Sequence, residues 1–373
     1  MITPKQRMLN AYRGLPNDRP AIAPEFWYYY PAKVLGVDMI RFEKDIPLWQ
    51  ALLTTFKKYG TEGWGAAFAA QNNPHTKGSS REERLADGRL RHTNTISYKD
   101  KSFTSVRMYD KEEPSWTEKY LLDDAADIGT CVEMATNTDI TFDLTKAVDA
   151  HRTVGNDYLL EFWLGTPFFD FIAGFMGFEK AVMYFIEADE KQLHQFRERY
   201  LSHQMRLIRE ACRTTPYESF VFGCSYSCNS LIGPVMWRQW DKPFIKAIAD
   251  ELHAHGKLLH IHFHGKSMEC ASDFSETGID CVCPFERSPG GDVDGVQGLR
   301  DVRKALADKV TMNGNVHTVE TLIRGTPDDV RREVREIKEA FAGSNRFIIG
   351  TGDQVGRETP EENILAMIDE GKS

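Results

Sequence analysis

The chain has 373 residues, 41% of them hydrophobic and 27% charged, with a formal charge of −9. That length suits one large domain or two ordinary ones, and an acidic balance with no basic stripe argues against a nucleic-acid surface. No apolar run can span a bilayer, the N-terminus lacks a secretory core, and seven scattered cysteines suit reduced thiols, so a cytoplasmic protein with a small-molecule ligand is expected.

Residues 3–14 read as a short amphipathic helix ending near Gly14. Residues 21–30 form a strand candidate rich in aromatics, followed by helical patterns over 43–59 and a strand over 61–70. Residues 71–87 are polar and loop-like. Alternating segments over 90–98 and 102–108, joined by Lys99-Asp100-Lys101, predict a β-hairpin inserted at about 89–108. After Pro114 the pattern becomes rhythmic. Helical stretches near 121–136, 175–213, 234–255, 267–276, 296–307 and 327–342 precede strands over 158–164, 219–224, 258–264, 280–286, 310–316 and 346–350. A last helix starts at Pro360. Thr326-Pro327 and Thr359-Pro360 each set an N-cap threonine before a first-turn proline, and Glu362 completes a capping box in the second. Eight strands alternating with helices predict a (β/α)8 TIM barrel, one domain over 1–373. A doubly wound sheet is the alternative, disfavoured because no Gly-x-Gly-x-x-Gly turn follows the first strand.

The most informative stretch is Lys257-Leu-Leu-His-Ile-His-Phe-His-Gly265. Side chains alternate on a strand, so His260, His262 and His264 share a face. Three imidazoles there are costly to bury unless paired to carbonyls or to each other, or bound to a divalent metal. In a barrel the chemistry sits at the strand C-termini. His262, His264 and Asp353, the last at the eighth strand end, would form a two-histidine, one-carboxylate set suited to Zn²⁺ or Fe²⁺. Taken alone, Asp353 also reads as a turn-capping aspartate. Glu286 is a fourth ligand, a general base or a partner of Arg287 or Arg300. Cys224 is a fourth-ligand candidate, with a buried structural thiol as the simpler reading; Cys281 and Cys283 read as core. Tyr226 joins Glu286 as a candidate catalytic group. Tyr28, Trp163, Phe168 and Asn315 are candidate substrate-binding residues. The run Phe26–Tyr30 is core plus barrel mouth or a stacking platform.

Residues 231–244, reading Leu-Ile-Gly-Pro-Val-Met-Trp-Arg-Gln-Trp-Asp-Lys-Pro-Phe, with His262-Phe-His-Gly265, Gly314-Asn-Val316, Gly325-Thr-Pro-Asp-Asp-Val330 and Thr359-Pro-Glu-Glu-Asn363, resemble the uroporphyrinogen decarboxylase superfamily. The resemblance spans most of 160–370 and implies a (β/α)8 barrel. It is nearer the cobalamin-dependent methyltransferase branch than true uroporphyrinogen decarboxylases, whose N-terminal arginine-containing stretch is replaced here by Phe26-Trp-Tyr-Tyr-Tyr30. That branch resembles His-x-Cys-Gly on this strand, with a second cysteine in the last loop. Here His264 and Asp353 stand at about those positions, so sulfur ligands are exchanged for nitrogen and oxygen. The resemblance implies a metal-dependent methyltransferase acting on a small methylated or methoxylated substrate. It also implies a corrinoid carried on a partner protein, since no Asp-x-His-x-x-Gly occurs here, and a homodimer. The alternatives are a metal-dependent decarboxylase, lyase or hydrolase, and a non-catalytic binding barrel.

Overall fold

A computed structural model describes residues 2–373. Eight parallel strands curl into a barrel: β1 (Ala21–Ala23), β2 (Trp64–Ala67), β3 (Leu159–Gly165), β4 (Ser219–Cys224), β5 (Leu258–Phe263), β6 (Cys281–Pro284), β7 (Thr311–Val316) and β8 (Phe347–Thr351). Their order is β1-β8-β7-β6-β5-β4-β3-β2: from β2 to β8 each strand pairs with its chain neighbour as the rhythmic pattern predicts, and β1 pairs with β8. At the β1–β2 seam a side chain closes the gap. Glu62 is buried, accepts the Ile22 amide at 2.9 Å and is gripped by Arg7 and Arg19 at 2.6 and 2.8 Å.

Strand alternation sorts residues between two cores. Phe220, Phe222 and Cys224 of β4, Leu259, Ile261 and Phe263 of β5, and Val282 of β6 join the large cluster under the helices. Val221, Leu258, Cys281 and Cys283 point into the barrel, where they meet Met8, Leu9, Ala11 and Tyr12. Those last four lie on the helix Pro4–Arg13, capped by Thr3 and Gly14, which plugs the N-terminal end of the barrel. No helix among the described residues is long and apolar enough to cross a membrane.

Several expected elements differ. β1 stops at Ala23, because Pro24 cannot donate to a ladder and the chain turns into the helix Tyr29–Leu35. The polar stretch expected to be a loop contains a strand, Thr76–Arg84, paired along its length with Leu90–Tyr98. Both its faces are solvent-exposed, so it carries no apolar alternation to read. The expected hairpin, Leu90–Tyr98 with Lys101–Tyr109, is thus the centre of a four-stranded antiparallel sheet, completed by Thr76–Arg84 and Trp116–Lys119. The stretch 175–213 is three helices, Phe168–Met176, Phe178–Glu187 and Glu190–Thr214, interrupted at Gly177 with φ 85° and at the N-cap Asp189. Helix 121–136 shortens to Ile128–Ala135, and a helix at Thr145–Val154 was not anticipated. Thr326 forms a capping box with Asp329. Thr359 caps nothing: its hydroxyl is buried without a partner, and the last helix begins at Glu361.

Candidate metal centre at the strand ends

His262 is on β5, and His264 follows where the strand turns through Gly265 at φ 73°. Their rings meet edge to face with centroids 4.3 Å apart. One ligand atom each from His262, His264 and Asp353 converge within 4.8 Å of one another, so the structure brings together the three residues expected as a metal set. A second convergent group joins Glu25, His262 and Cys283. Glu25 lies just past β1, and its carboxylate is 3.7 Å from His262 Nε2.

Electrostatics match this geometry. Burial, reinforced by the neighbouring imidazoles of His264 and His260, holds His262 well below its ordinary pKa, so it is a neutral imidazole. Burial also opposes charge on His264, but the Glu286 hydrogen bond and the charges of Asp353 and Glu286 outweigh it and raise that pKa. Burial raises Asp353 above the usual carboxylate range, Glu286 adds to the shift, and His264 and the Gln354 amide offset part of it. Glu25 is pushed well above its ordinary value by burial and then by Asp353 and Glu286. A crowd of carboxylates that repel one another around a neutral imidazole is what a divalent cation relieves.

Glu286 has a defined partner set. Its Oε1 accepts the Gly265 amide at 2.8 Å and lies 3.0 Å from His264 Nδ1. Burial alone would raise it, yet those bonds and the charges of His264 and His317 hold it below its ordinary value. It therefore orients His264, the usual duty of a carboxylate behind a metal-binding histidine. Arg287 turns instead to Glu336, at 2.8 Å, and to the Asn315 carbonyl, while Arg300 pairs with Glu339.

The remaining candidates separate. Cys224 is in neither convergent group. By strand parity it faces the helix layer, fully buried near Asp170, Asp241 and Cys228, which corrects its assignment as a fourth ligand. Phe168 is also fully buried in that layer, against Phe185 and Trp240, too deep to touch a substrate. Tyr28 packs on Phe42 in a satellite cluster, and its neighbour Trp27 is the one that faces the barrel, edge-on to Trp64. The Trp27 indole N–H is buried without a partner. Trp163 does face inward, its ring tip so near Gly223 that a Cβ there would lie 2.5 Å away. Asn315 donates its amide to the Phe285 and Val293 carbonyls, each at 3.0 Å, and so ties down the loop after β6. Tyr226 lines a cavity of about 800 Å³ roofed by the inserted sheet through Arg107 and Trp116 and walled by Asp170 and Phe171. A smaller cavity of about 360 Å³ opens directly on Glu286 and Asp353, beside His317 and Val319.

The sequence pattern does not single out Trp27 within the run Phe26–Tyr30, nor the place of Cys283 between two histidines. Strand parity held the signal for Cys283, since Cys281 and Cys283 share their face with the inward histidines of β5 through the pairs His260–Cys281 and His262–Cys283.

The fold and this side-chain group define a (β/α)8 barrel with two histidines and a carboxylate converging at the C-terminal ends of its strands. The uroporphyrinogen decarboxylase (URO-D) family model matches residues 104–373, and the chain belongs to that family. A curated relative, "Uroporphyrinogen decarboxylase 1, chloroplastic" of Oryza sativa subsp. japonica, is 28% identical over 154 residues. That match covers 39% of this chain and about a third, 34%, of the relative. Among solved structures, a methyltransferase from Methanosarcina mazei superposes with a TM-score of 0.65 at 16% identity, covering 100% of this chain and 99% of that one. At that identity the likeness concerns the fold.

Proposed function

We propose that this chain is a metal-dependent methyltransferase acting on a small methylated or methoxylated substrate, with a corrinoid on a separate partner protein as the methyl acceptor. The observation that carries the reading is the convergence of His262, His264 and Asp353 within 4.8 Å at the strand ends. The resemblance of the chain's motifs to the methyltransferase branch, and the full-length fold match to a protein described as a methyltransferase, support it.

The donor set fits a divalent ion, Zn²⁺ or Fe²⁺, which when bound supplies a Lewis acid for the substrate heteroatom that carries the methyl group. His262 presents a bare nitrogen because burial keeps it neutral. Glu286 holds His264 in place through its 3.0 Å hydrogen bond. Demethylating an oxygen leaves an alkoxide or phenoxide that needs a proton. Glu25, whose pKa burial raises well above the ordinary carboxylate value, is placed beside His262 to give it. Glu286, held below its ordinary value, is a poor proton carrier near neutrality, so the catalytic role expected of it gives way to orientation. Trp163 and Trp27 supply the apolar wall around the reacting group. Tyr226 would reach a substrate only through the larger cavity under the inserted sheet. The barrel rim is the surface on which the corrinoid protein would dock, and pairing of two chains is proposed on resemblance alone.

The test begins with metal content of protein prepared without chelators or tags. About one ion per chain, lost in His262→Ala and in His264→Ala, is expected. Methoxylated and methylated compounds are then screened with and without a methyl-accepting corrinoid protein. Turnover that persists with no corrinoid would turn the reading to a hydrolase or lyase. Absence of metal in every preparation would remove its basis.

A further inference from the structure

Inside the barrel, beneath the candidate ligands, a chain of hydrogen bonds runs along β3, β4, β5 and β6. Ser219 Oγ donates to Glu161 Oε1 at 2.6 Å, and Glu161 Oε2 lies 2.9 Å from His260 Nδ1. On the other side of that ring, His260 Nε2 is 3.0 Å from Cys283 Sγ, which is 2.9 Å from His262 Nδ1. Ser219, Glu161 and His260 are wholly inaccessible, and Cys283 is 1% exposed. With Nδ1 taken by the thiol, the nitrogen His262 has left to offer His264 and Asp353 is Nε2.

We propose that Cys283 and His260 are positioning residues that fix the tautomer of His262, holding its proton on Nδ1 and leaving Nε2 bare as a ligand atom. This inference rests on the reading of His262 as a metal ligand. The polarity of the chain follows from its anchor. A carboxylate only accepts hydrogen bonds, so Glu161 draws the Nδ1–H of His260. One proton on that ring leaves Nε2 as an acceptor, which takes the Cys283 S–H. The sulfur is then free to accept the Nδ1–H of His262. Reversed polarity would place a proton on His262 Nε2 and cover the lone pair a metal needs. A thiol is a weak donor and a weak acceptor, so such a link works only where its geometry is held. The structure holds it. The Tyr12 hydroxyl sits 3.2 Å from His260 Nδ1, and Trp64 packs on both rings at centroid distances of 4.7 and 5.6 Å. The convergence of Glu25, His262 and Cys283 defines the rival arrangement, with Cys283 itself as a ligand.

The experiment is ¹⁵N-histidine NMR of the metal-free full chain, paired with Co²⁺ and Zn²⁺ titrations, on wild type, Cys283→Ala and Cys283→Ser. In wild type the long-range ¹⁵N pattern is expected to show His262 protonated on Nδ1. Cys283→Ala should give a mixture of tautomers and a loss of metal affinity of about 10- to 100-fold, the usual effect of removing a partner behind a ligand. Cys283→Ser, which keeps a donor and an acceptor, should hold the Nδ1–H tautomer and stay within a few-fold of wild type. A wild-type Nε2–H tautomer, or Cys283→Ala unchanged in both readouts, overturns the proposal. So does a thiolate-to-Co²⁺ charge-transfer band in wild type, which would make Cys283 a ligand. If Cys283→Ala does not fold, the wild-type and Cys283→Ser spectra decide alone. Nδ1–H in a wild type that binds no metal sinks the metal reading and leaves the relay standing. Metal binding that ignores Cys283→Ala does the reverse.

Discussion

The candidate centre predicts a pH dependence of metal affinity whose sign follows from its neighbours. A divalent ion binds deprotonated ligands, so any proton already on a ligand competes with it. His262 brings no such proton near neutrality, because burial and two adjacent imidazoles hold its pKa well down. His264 does bring one. Burial disfavours its charge, but Glu286 at 3.0 Å and the Asp353 carboxylate raise its pKa above the ordinary histidine value. Asp353, raised by burial, adds a second at lower pH. Each displaced proton contributes about one log unit of affinity per pH unit. The log affinity should therefore climb with a slope between about one and two on the acid side, and level off above the raised His264 value. Glu286→Gln sharpens the prediction. Its amide oxygen still accepts the Gly265 N–H, but the anion that holds the proton on His264 is gone. The inflection should move to lower pH, so that at about pH 6 the variant lies nearer its own plateau than wild type does. Competition titration of Zn²⁺ against a chelating indicator, over about pH 5.5 to 8, reads both. A flat wild-type profile, or an inflection that Glu286→Gln leaves unmoved, would refute the electrostatic account of the site.

Three further outcomes are expected. Glu62→Ala removes the acceptor for the Ile22 amide and leaves the buried Arg7 with Asp18 as its one carboxylate partner, so it should cost about 3–5 kcal/mol in urea denaturation at unchanged m-value; a loss below about 1 kcal/mol would mean the β1–β2 seam is closed by something else. Thr326→Ala should cost about 1 kcal/mol through its lost cap, whereas Thr359→Ala, which deletes a buried hydroxyl without a partner, should cost next to nothing; equal effects in thermal melts would contradict the capping assignments. Cys224→Ala should leave metal stoichiometry and affinity at wild-type values, since its thiol faces the helices, and a clear loss would return it to the ligand set.

The barrel was legible because its signal is local. Five of the last six strands are short, largely apolar runs behind a helix, the sixth, Thr311–Val316, keeps its place in the same rhythm, and an error of a few residues in a helix boundary does not disturb the count. What failed was long-range in cause. The strand Thr76–Arg84 forms because Leu90–Tyr98 pairs with it, and its own polar sequence says nothing of that. The aromatic run after Pro24 has the composition of a strand, but the proline ends the ladder and Trp27 and Tyr28 go to different clusters. At the site, His262, His264 and Asp353 could be grouped because strand ends in a barrel converge, whatever the loops do. Phe168 and Cys224 were misplaced for one shared reason: position near a strand end was taken for exposure to the site. Alternation decides that question, and it sends Cys224 outward.

The same alternation bears on what kind of metal chemistry the barrel favours. In the proposed reading, His264 and Asp353 give the outer set nitrogen and oxygen donors, which would suit a harder, more strongly polarising ion. Yet a thiol remains within 2.9 Å of His262, one step deeper in the barrel and wholly buried. Placed as a hydrogen-bond partner, Cys283 would act on a bound metal only through the basicity and orientation of one imidazole, an effect of about 10- to 100-fold. Placed as a ligand, it would bring soft-donor character back and quench the Lewis acidity that oxygen demethylation requires. Hydrogen-bond geometry favours the first arrangement, because the sulfur sits at Nδ1 of His262 and at Nε2 of His260 together, and a ligand role would take away the S–H that the His260 nitrogen accepts.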